Sequence, residues 1–135
     1  MKCNSESIAF HCRDIQSMPE MSAACQDHRH VVFAATVGGK NSLWVRDLDA
    51  LPARRLIGTE EGGYPFWSPD SRSIGFFVND KLKRMELVGG PVLTICDVPP
   101  SGRGGTWNAN GVILFGTASA NPAGLYRVSA TGGVA

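Results

Sequence analysis

From residue 27 to residue 135, short apolar runs alternate with clusters of Gly, Pro, Asn, Asp and Ser. Runs rich in β-branched and aromatic residues, bounded by such clusters, predict strands. They fall at 31–36, 42–48, 54–57, 64–67, 73–79, 81–87, 92–96, 104–107, 111–116 and 124–129. No window of ten or more residues spaces its apolar positions at i, i+3, i+4 and i+7 between caps, so no helix is predicted. The turns Gly38-Gly39-Lys40-Asn41 and Asn79-Asp80 are short enough for antiparallel hairpins. Ile74-Gly75-Phe76-Phe77-Val78 and Val112-Ile113-Leu114-Phe115 are nearly continuous apolar, which suits strands buried on both faces. The strand at Leu82 alternates more, with Lys81, Lys83 and Arg84 turned toward solvent or a groove.

The pattern repeats. Phe66-Trp67-Ser68-Pro69-Asp70-Ser71-Arg72-Ser73-Ile74-Gly75-Phe76-Phe77 recurs, blurred, 40 residues on, as Gly105-Thr106-Trp107-Asn108-Ala109-Asn110-Gly111-Val112-Ile113-Leu114-Phe115. Leu82 to Leu87 followed by Gly89-Gly90-Pro91 recurs 43 residues on, as Leu125 to Ser129 followed by Gly132-Gly133. The longer offset places an insertion at 117–124, where a repeat protein tolerates one. A third, partial copy lies upstream: Val31-Val32-Phe33 precedes Ile74-Gly75-Phe76 by 43 residues, and Leu43 to Leu48 follows the pattern of Leu82 to Leu87. Asp27 and Arg29 then fall opposite Asp70 and Arg72. Pro69 has the φ wanted at the first central position of a turn, and the Asp70 carboxylate can accept nearby backbone N–H groups. Self-similarity at this period, with four short strands per repeat, is the signature of a propeller blade.

The fold class expected is therefore all-β, a partial β-propeller of four-stranded antiparallel blades, the best defined at about 62–98. Phe66, Ile74, Phe76, Leu82, Leu93, Trp107, Ile113 and Phe115 are the expected core. One blade cannot bury its own faces, so the repeat points to a portion of a larger ring. The outer faces of the first and last blades should expose residues such as Phe33, Trp44, Leu114 and Tyr126. The last blade should lack its outer strand, and the isolated chain should be marginal or oligomeric.

Composition agrees and narrows the function. The hydrophobic share of 43% supports a core, and 16 Gly with 8 Pro suit a turn-dense β chain. A net charge of +1 gives no electrostatic case for nucleic acid or a membrane surface. No apolar run approaches the ~18 residues that a spanning helix needs. Met1-Lys2 is followed by polar residues, with no apolar segment of signal-peptide type. Residues 1–26 lack Gly and clear strand alternation, and they hold three of the four Cys. They are expected to form a poorly ordered leader to the propeller segment 27–135.

Candidate chemistry is sparse. Cys25, His28 and His30 are zinc-ligand types, with Cys12 or His11 as a further group. Their spacing matches no standard finger, so no metal site is expected. Cys96 ends an apolar run and reads as a small buried hydrophobe. Gly102-Arg103-Gly104-Gly105 lacks the Lys and the following helix of a phosphate loop. Neither a nucleophile elbow nor the kinase catalytic motifs occur, so no catalytic residue and no cofactor are assigned. Tyr64, Trp67, Arg103 and Trp107 flank the first strands of two blades, which line the channel of a propeller. Aromatic and Arg side chains are enriched at recognition sites, so these four are the candidate binding residues. Blade-to-blade packing is the competing role for both Trp residues.

Trp67-Ser68-Pro69-Asp70-Ser71-Arg72, Leu82 to Leu87 and Gly89-Gly90-Pro91 together resemble the TolB-like, WD-like propeller repeat. The likeness covers 27–135, roughly two and a half blades. It is good at Ser68-Pro69-Asp70, weaker at Asn108-Ala109-Asn110-Gly111 and poor at 24–27. In bacteria such propellers often sit in periplasmic proteins, behind serine/threonine kinase domains as C-terminal sensor regions, or before the hydrolase domain of prolyl-oligopeptidase-like enzymes. The resemblance implies a non-catalytic scaffold whose partner is another protein, a ligand or the remaining blades. The alternative is a sensor or gating portion of an enzyme whose catalytic domain lies elsewhere. It also implies a periplasmic or extracytoplasmic location.

Overall fold

The computed structural model describes residues 23–25, 29–50, 52–118 and 124–135. Among them are strands β1 (Ala23–Cys25), β2 (His30–Val37), β3 (Lys40–Asp47), β4 (Ala53–Arg55), β5 (Gly63–Trp67), β6 (Ser73–Val78), β7 (Lys81–Glu86), β8 (Leu93–Asp97), β9 (Gly102–Trp107), β10 (Val112–Thr117) and β11 (Leu125–Ser129). They form three sheets, β1-β2-β3-β4, β5-β6-β7-β8 and β9-β10-β11, each in chain order and antiparallel throughout. The first strands β1, β5 and β9 lie side by side, with β5 touching both of the others. This is the arrangement of successive propeller blades around an axis. No helix among the described residues is long and apolar enough to cross a membrane.

All ten strands read from the pattern are present, with ends within about two residues, a usual uncertainty at boundaries. The eleventh, β1, pairs with β2 from Ala23↔Phe33 to Cys25↔Val31. It lies inside the segment expected to be a leader, and it supplies the first strand of the first sheet. Residues 1–22 and 26–28, which include His11, Cys12 and His28, and the side chain of Cys25 lie outside what is described.

Two cores hold the sheets together. Val32, Leu43, Val45 and Leu56 of the first sheet meet Trp67, Ile74, Phe76, Val78, Met85 and Leu87 of the second. Phe66, Phe77, Leu82, Ile95, Cys96 and Val98 of the second meet Ile113, Phe115, Val128 and Ala130 of the third. The continuous apolarity of β6 follows from this. Its alternate residues Ile74, Phe76 and Val78 feed one core, while Phe77 feeds the other. Burying each such side chain contributes about 1.5–3 kcal/mol. The Phe66 ring lies directly over Gly75: a Cβ there would come within 2.4 Å of the ring. It also lies against Gly105, where a Cβ would be 3.1 Å away. Phe66, Phe77, Phe115 and Tyr126 run as a chain of ring contacts across this interface, with centroids 5.4–6.1 Å apart.

The repeat is carried by backbone bonds as well as by sequence. Leu48 N donates to Arg29 O at 2.7 Å, Leu87 N to Arg72 O at 2.9 Å and Ala130 N to Gly111 O at 2.8 Å. The β5–β6 turn is pinned by Ser68 Oγ donating to Asp70 Oδ1 at 2.6 Å, Arg72 N donating to Asp70 Oδ1 at 3.1 Å and Ser73 N donating to Ser68 Oγ at 2.9 Å. In the β9–β10 turn one side chain takes the acceptor roles. Asn108 Oδ1 accepts from Asn110 N and Val112 N, both at 3.0 Å. The turn after β7, with φ +108° and +142° at Gly89 and Gly90, is repeated after β11 with +109° and +141° at Gly132 and Gly133. Such φ values explain the paired glycines in both copies.

Six expectations about burial are corrected. Leu93 is 45% exposed, because it starts β8, the outermost strand, opposite Arg84 and outside both cores. Trp107 is only partly buried at the rim of the second core. Tyr126 does not face outward: it stacks on Phe115 toward the second sheet. The exposed apolar residue of β11 is Leu125, at 75%. Phe33, Trp44 and Leu114 are partly buried.

Candidate functional site

The four residues nominated from the sequence separate into two pairs. Trp67 is buried in the first core and Trp107 packs at the rim of the second, so both take the packing role. Tyr64 and Arg103 come together instead. The Arg103 guanidinium carbon lies 5.4 Å from the centroid of the Tyr64 ring. Tyr64 is 39% exposed and Arg103 is exposed. A guanidinium over a ring within about 6 Å contributes roughly 0.5–1 kcal/mol at an exposed site. The pair joins the second sheet to the third at the start of their first strands.

Backbone irregularity aims both side chains. β5 pairs with β6 at Gly63↔Phe77 and Phe66↔Gly75, with a register shift between that leaves Tyr64 and Pro65 out of the ladder. β9 pairs with β10 at Gly102↔Thr117 and Gly105↔Phe115, and the shift there sets out Arg103 and Gly104. Bulges re-aim side chains and recur near functional sites. Aligned through Trp67 and Trp107, Tyr64 corresponds to Gly104 and Glu61 to Ser101. All four have left-handed φ, at +51° and +78° for the first pair and +59° and +67° for the second. Glycine takes that conformation freely, whereas a bulky aromatic residue is an outlier there. The Gly102-Arg103-Gly104-Gly105 run, set aside in the sequence as an incomplete phosphate loop, forms this bulge. Nothing in the sequence marks Tyr64 as its counterpart.

The arrangement offers one cation and one π face, which suit an anionic or planar group. The Ser68–Asp70 pair is absorbed by its turn. There, hydrogen bonds from the Ser68 hydroxyl and the Arg72 backbone hold the Asp70 carboxyl below its ordinary value of 3.8. Cys96 is buried, and burial raises its thiol pKa. Of the Cys-His cluster, His30 is described: its Nε2 lies 3.2 Å from Asp47 Oδ1, and its ring lies 6.3 Å from that of Trp67. No group of three or more metal-ligand residues occurs among the described residues. A shallow groove of about 360 Å³ runs along β7 and β8, lined by Arg84, Glu86, Gly89 and Leu93 among others. It lies on the outer strands of the second sheet, away from the first strands.

No protein-family model matches the chain, and no curated protein matches it. Solved structures do. A TolB protein of Agrobacterium tumefaciens superposes with a TM-score of 0.65 at 18% identity, over 79% of this chain and 44% of that one. TolB of Acinetobacter baumannii gives 0.61 at 14% identity, over 82% and 32%. The β-propeller domain of the Trilobed protease from Pyrococcus furiosus gives 0.55 at 16% identity, over 72% and 34%. The acylaminoacyl peptidase of Pyrococcus horikoshii gives 0.56 at 17% identity, over 72% and 17%. The chain thus spans less than half the length of each of these structures. At these identities the likeness shows the fold, which is that of a TolB-like partial β-propeller.

Proposed function

We propose that this TolB-like propeller portion is a non-catalytic binding scaffold. It presents Tyr64 and Arg103 to a protein partner or ligand carrying an anionic or planar group. The observation that carries the reading is the Arg103 guanidinium over the Tyr64 ring, the two residues set out by bulges on two adjacent first strands. A displayed library of random peptides panned against the chain tests it. Selected peptides should carry a carboxylate or an aromatic side chain, and Arg103→Ala should weaken their binding about tenfold or more, the loss of a charged contact. Peptides that bind equally to wild type, Tyr64→Ala and Arg103→Ala would remove this site from the reading.

A second reading is favoured by the likeness to propellers of a protease and of acylaminoacyl peptidases. In it the chain is the gating or sensor portion of an enzyme, a hydrolase or a serine/threonine kinase, whose catalytic domain lies outside these 135 residues. The DNA on either side of the coding frame decides between the two. A hydrolase or kinase frame continuous with this one supports the second reading, and an unrelated neighbour supports the first.

A further inference from the structure

The repeat gives each sheet the same places on the face it turns to the next one. Leu48 N donates to Arg29 O as Leu87 N donates to Arg72 O, so His30 corresponds to Ser73 and Asp47 to Glu86. Two residues earlier on the third strand, Val45 corresponds to Arg84. Across the ladder from these, Arg54 corresponds to Leu93. In the first sheet the places are filled by contacts to the second. The His30 ring lies 6.3 Å from the Trp67 ring, while its Nε2 lies 3.2 Å from Asp47 Oδ1. Val45 is buried in the first core, and Arg54 Nη2 donates to Leu87 O at 2.7 Å.

The second sheet keeps the places and changes the fillers. Ser73 puts a hydroxymethyl group where His30 puts an imidazole, and it borders the groove of about 360 Å³. Arg84 and Glu86 line the groove with it, and Met85, Pro91 and Leu93 supply apolar wall. Asp47 has the His30 imidazole beside it. Neither Glu86 nor Arg84 has an ion-pair partner among the described residues. Arg84 is half-buried, a setting in which a guanidinium gains from a bidentate carboxylate.

The groove is at the lower end of the range for ligand pockets, about 300–1,000 Å³, so its occupant is small. The lining asks for a cation at Glu86, an anion at Arg84 and an apolar body between Pro91 and Leu93. The two charges stand on one face of β7, two residues apart, roughly 6.6 Å along the strand. An extended dipeptide sets its two charged ends a similar distance apart, at about 3.3 Å per residue. We infer that this groove binds a dipeptide with apolar side chains. Its ammonium group pairs with Glu86, in the place His30 takes beside Asp47, and its carboxylate pairs with Arg84. The inference is independent of the Tyr64–Arg103 site.

Leucyl-leucine is the probe, titrated to about 10 mM into the isotope-labelled chain and followed by amide NMR shifts. The amides of Ser73, Arg84, Glu86, Gly89 and Gly90 should shift together, while those of Tyr64 and Arg103 stay in place. N-acetyl-leucyl-leucine and leucyl-leucinamide each lack one charge and should bind at least about tenfold more weakly. Free leucine, whose two charges adjoin, should be weakened as much. Arg84→Gln and Glu86→Gln should each weaken leucyl-leucine by a similar factor, and the same spectra report that each variant is folded. Ser73→His brings an imidazole to Glu86 as His30 brings one to Asp47, and it should abolish the shifts. Three results overturn the inference: no shift at these amides, capped peptides or leucine binding as well as leucyl-leucine, or binding unchanged in Arg84→Gln and Glu86→Gln.

Discussion

Tyr64 holds a large ring on a backbone that its repeat counterpart fills with glycine. A left-handed non-glycine residue costs roughly 1–2 kcal/mol, and such strain gathers at binding sites. Tyr64→Gly should therefore abolish selection of Arg103-dependent peptides while changing unfolding free energy by less than about 1 kcal/mol, because strain relief offsets the lost ring contact. Urea titration beside the peptide assay measures both. Thr59 shows the opposite balance. Fully buried, its Oγ1 accepts from Leu43 N at 2.9 Å and donates to Leu56 O at 2.6 Å, standing in for a strand just past the end of β4. Thr59→Val leaves both backbone groups unpaired and should cost about 1–3 kcal/mol for each, whereas Thr59→Ser should retain most of the stability. Asp70 links the turn to pH. Its folded pKa is lowered, so its contribution is full above the ordinary value of 3.8 and is lost as pH falls through the lowered folded value. Asp70→Asn should flatten the dependence of the melting temperature on pH below about 4, as read by melts at successive pH values.

At the scale of strands and sheets, most of the architecture was legible because blade strands are short, sequential and separated by strong turn signals. The alternation of β6 between two cores was readable as continuous apolarity, and the Ser68-Pro69-Asp70 turn announced its own geometry. β1 was missed because Ala23-Ala24-Cys25 has neither β-branched nor aromatic residues, and its strand state comes from pairing with β2. Leu93 was placed inside because hydrophobicity does not report which strand ends at the rim. The candidate site was half legible. Residue type drew all four nominees, but only the register of the bulges separates exposed Tyr64 and Arg103 from packed Trp67 and Trp107. One of the tightest contacts was invisible in sequence: Phe66 needs the bare backbone of Gly75 on its own sheet. Gly75→Ala should destabilise the chain by about 1–3 kcal/mol through overpacking, measurable by urea denaturation. Ile74→Val in the same strand removes one methylene group and should cost about 0.5–1.5 kcal/mol.

Over the whole molecule, the second sheet is the keystone: among the described residues it contributes to both cores, while each of its neighbours contributes to one. One polar clamp reinforces the first junction. Arg54 Nη2 donates to the Leu87 carbonyl at 2.7 Å, from the first sheet to the turn of the second. Because every sheet is laid down in chain order, all strand pairings among the described residues join neighbours along the chain. The consequence lies in time. Local pairing closes only short loops, so each sheet can form early and quickly, and the slow event is the docking of one finished sheet on the next. Unfolding should retrace this from the outside. The amides of Ile74 to Val78 should exchange only when the whole molecule opens, whereas those of β4 and β11 exchange through brief local excursions. The chain would then come apart one blade at a time, and its middle would be the last part to let go.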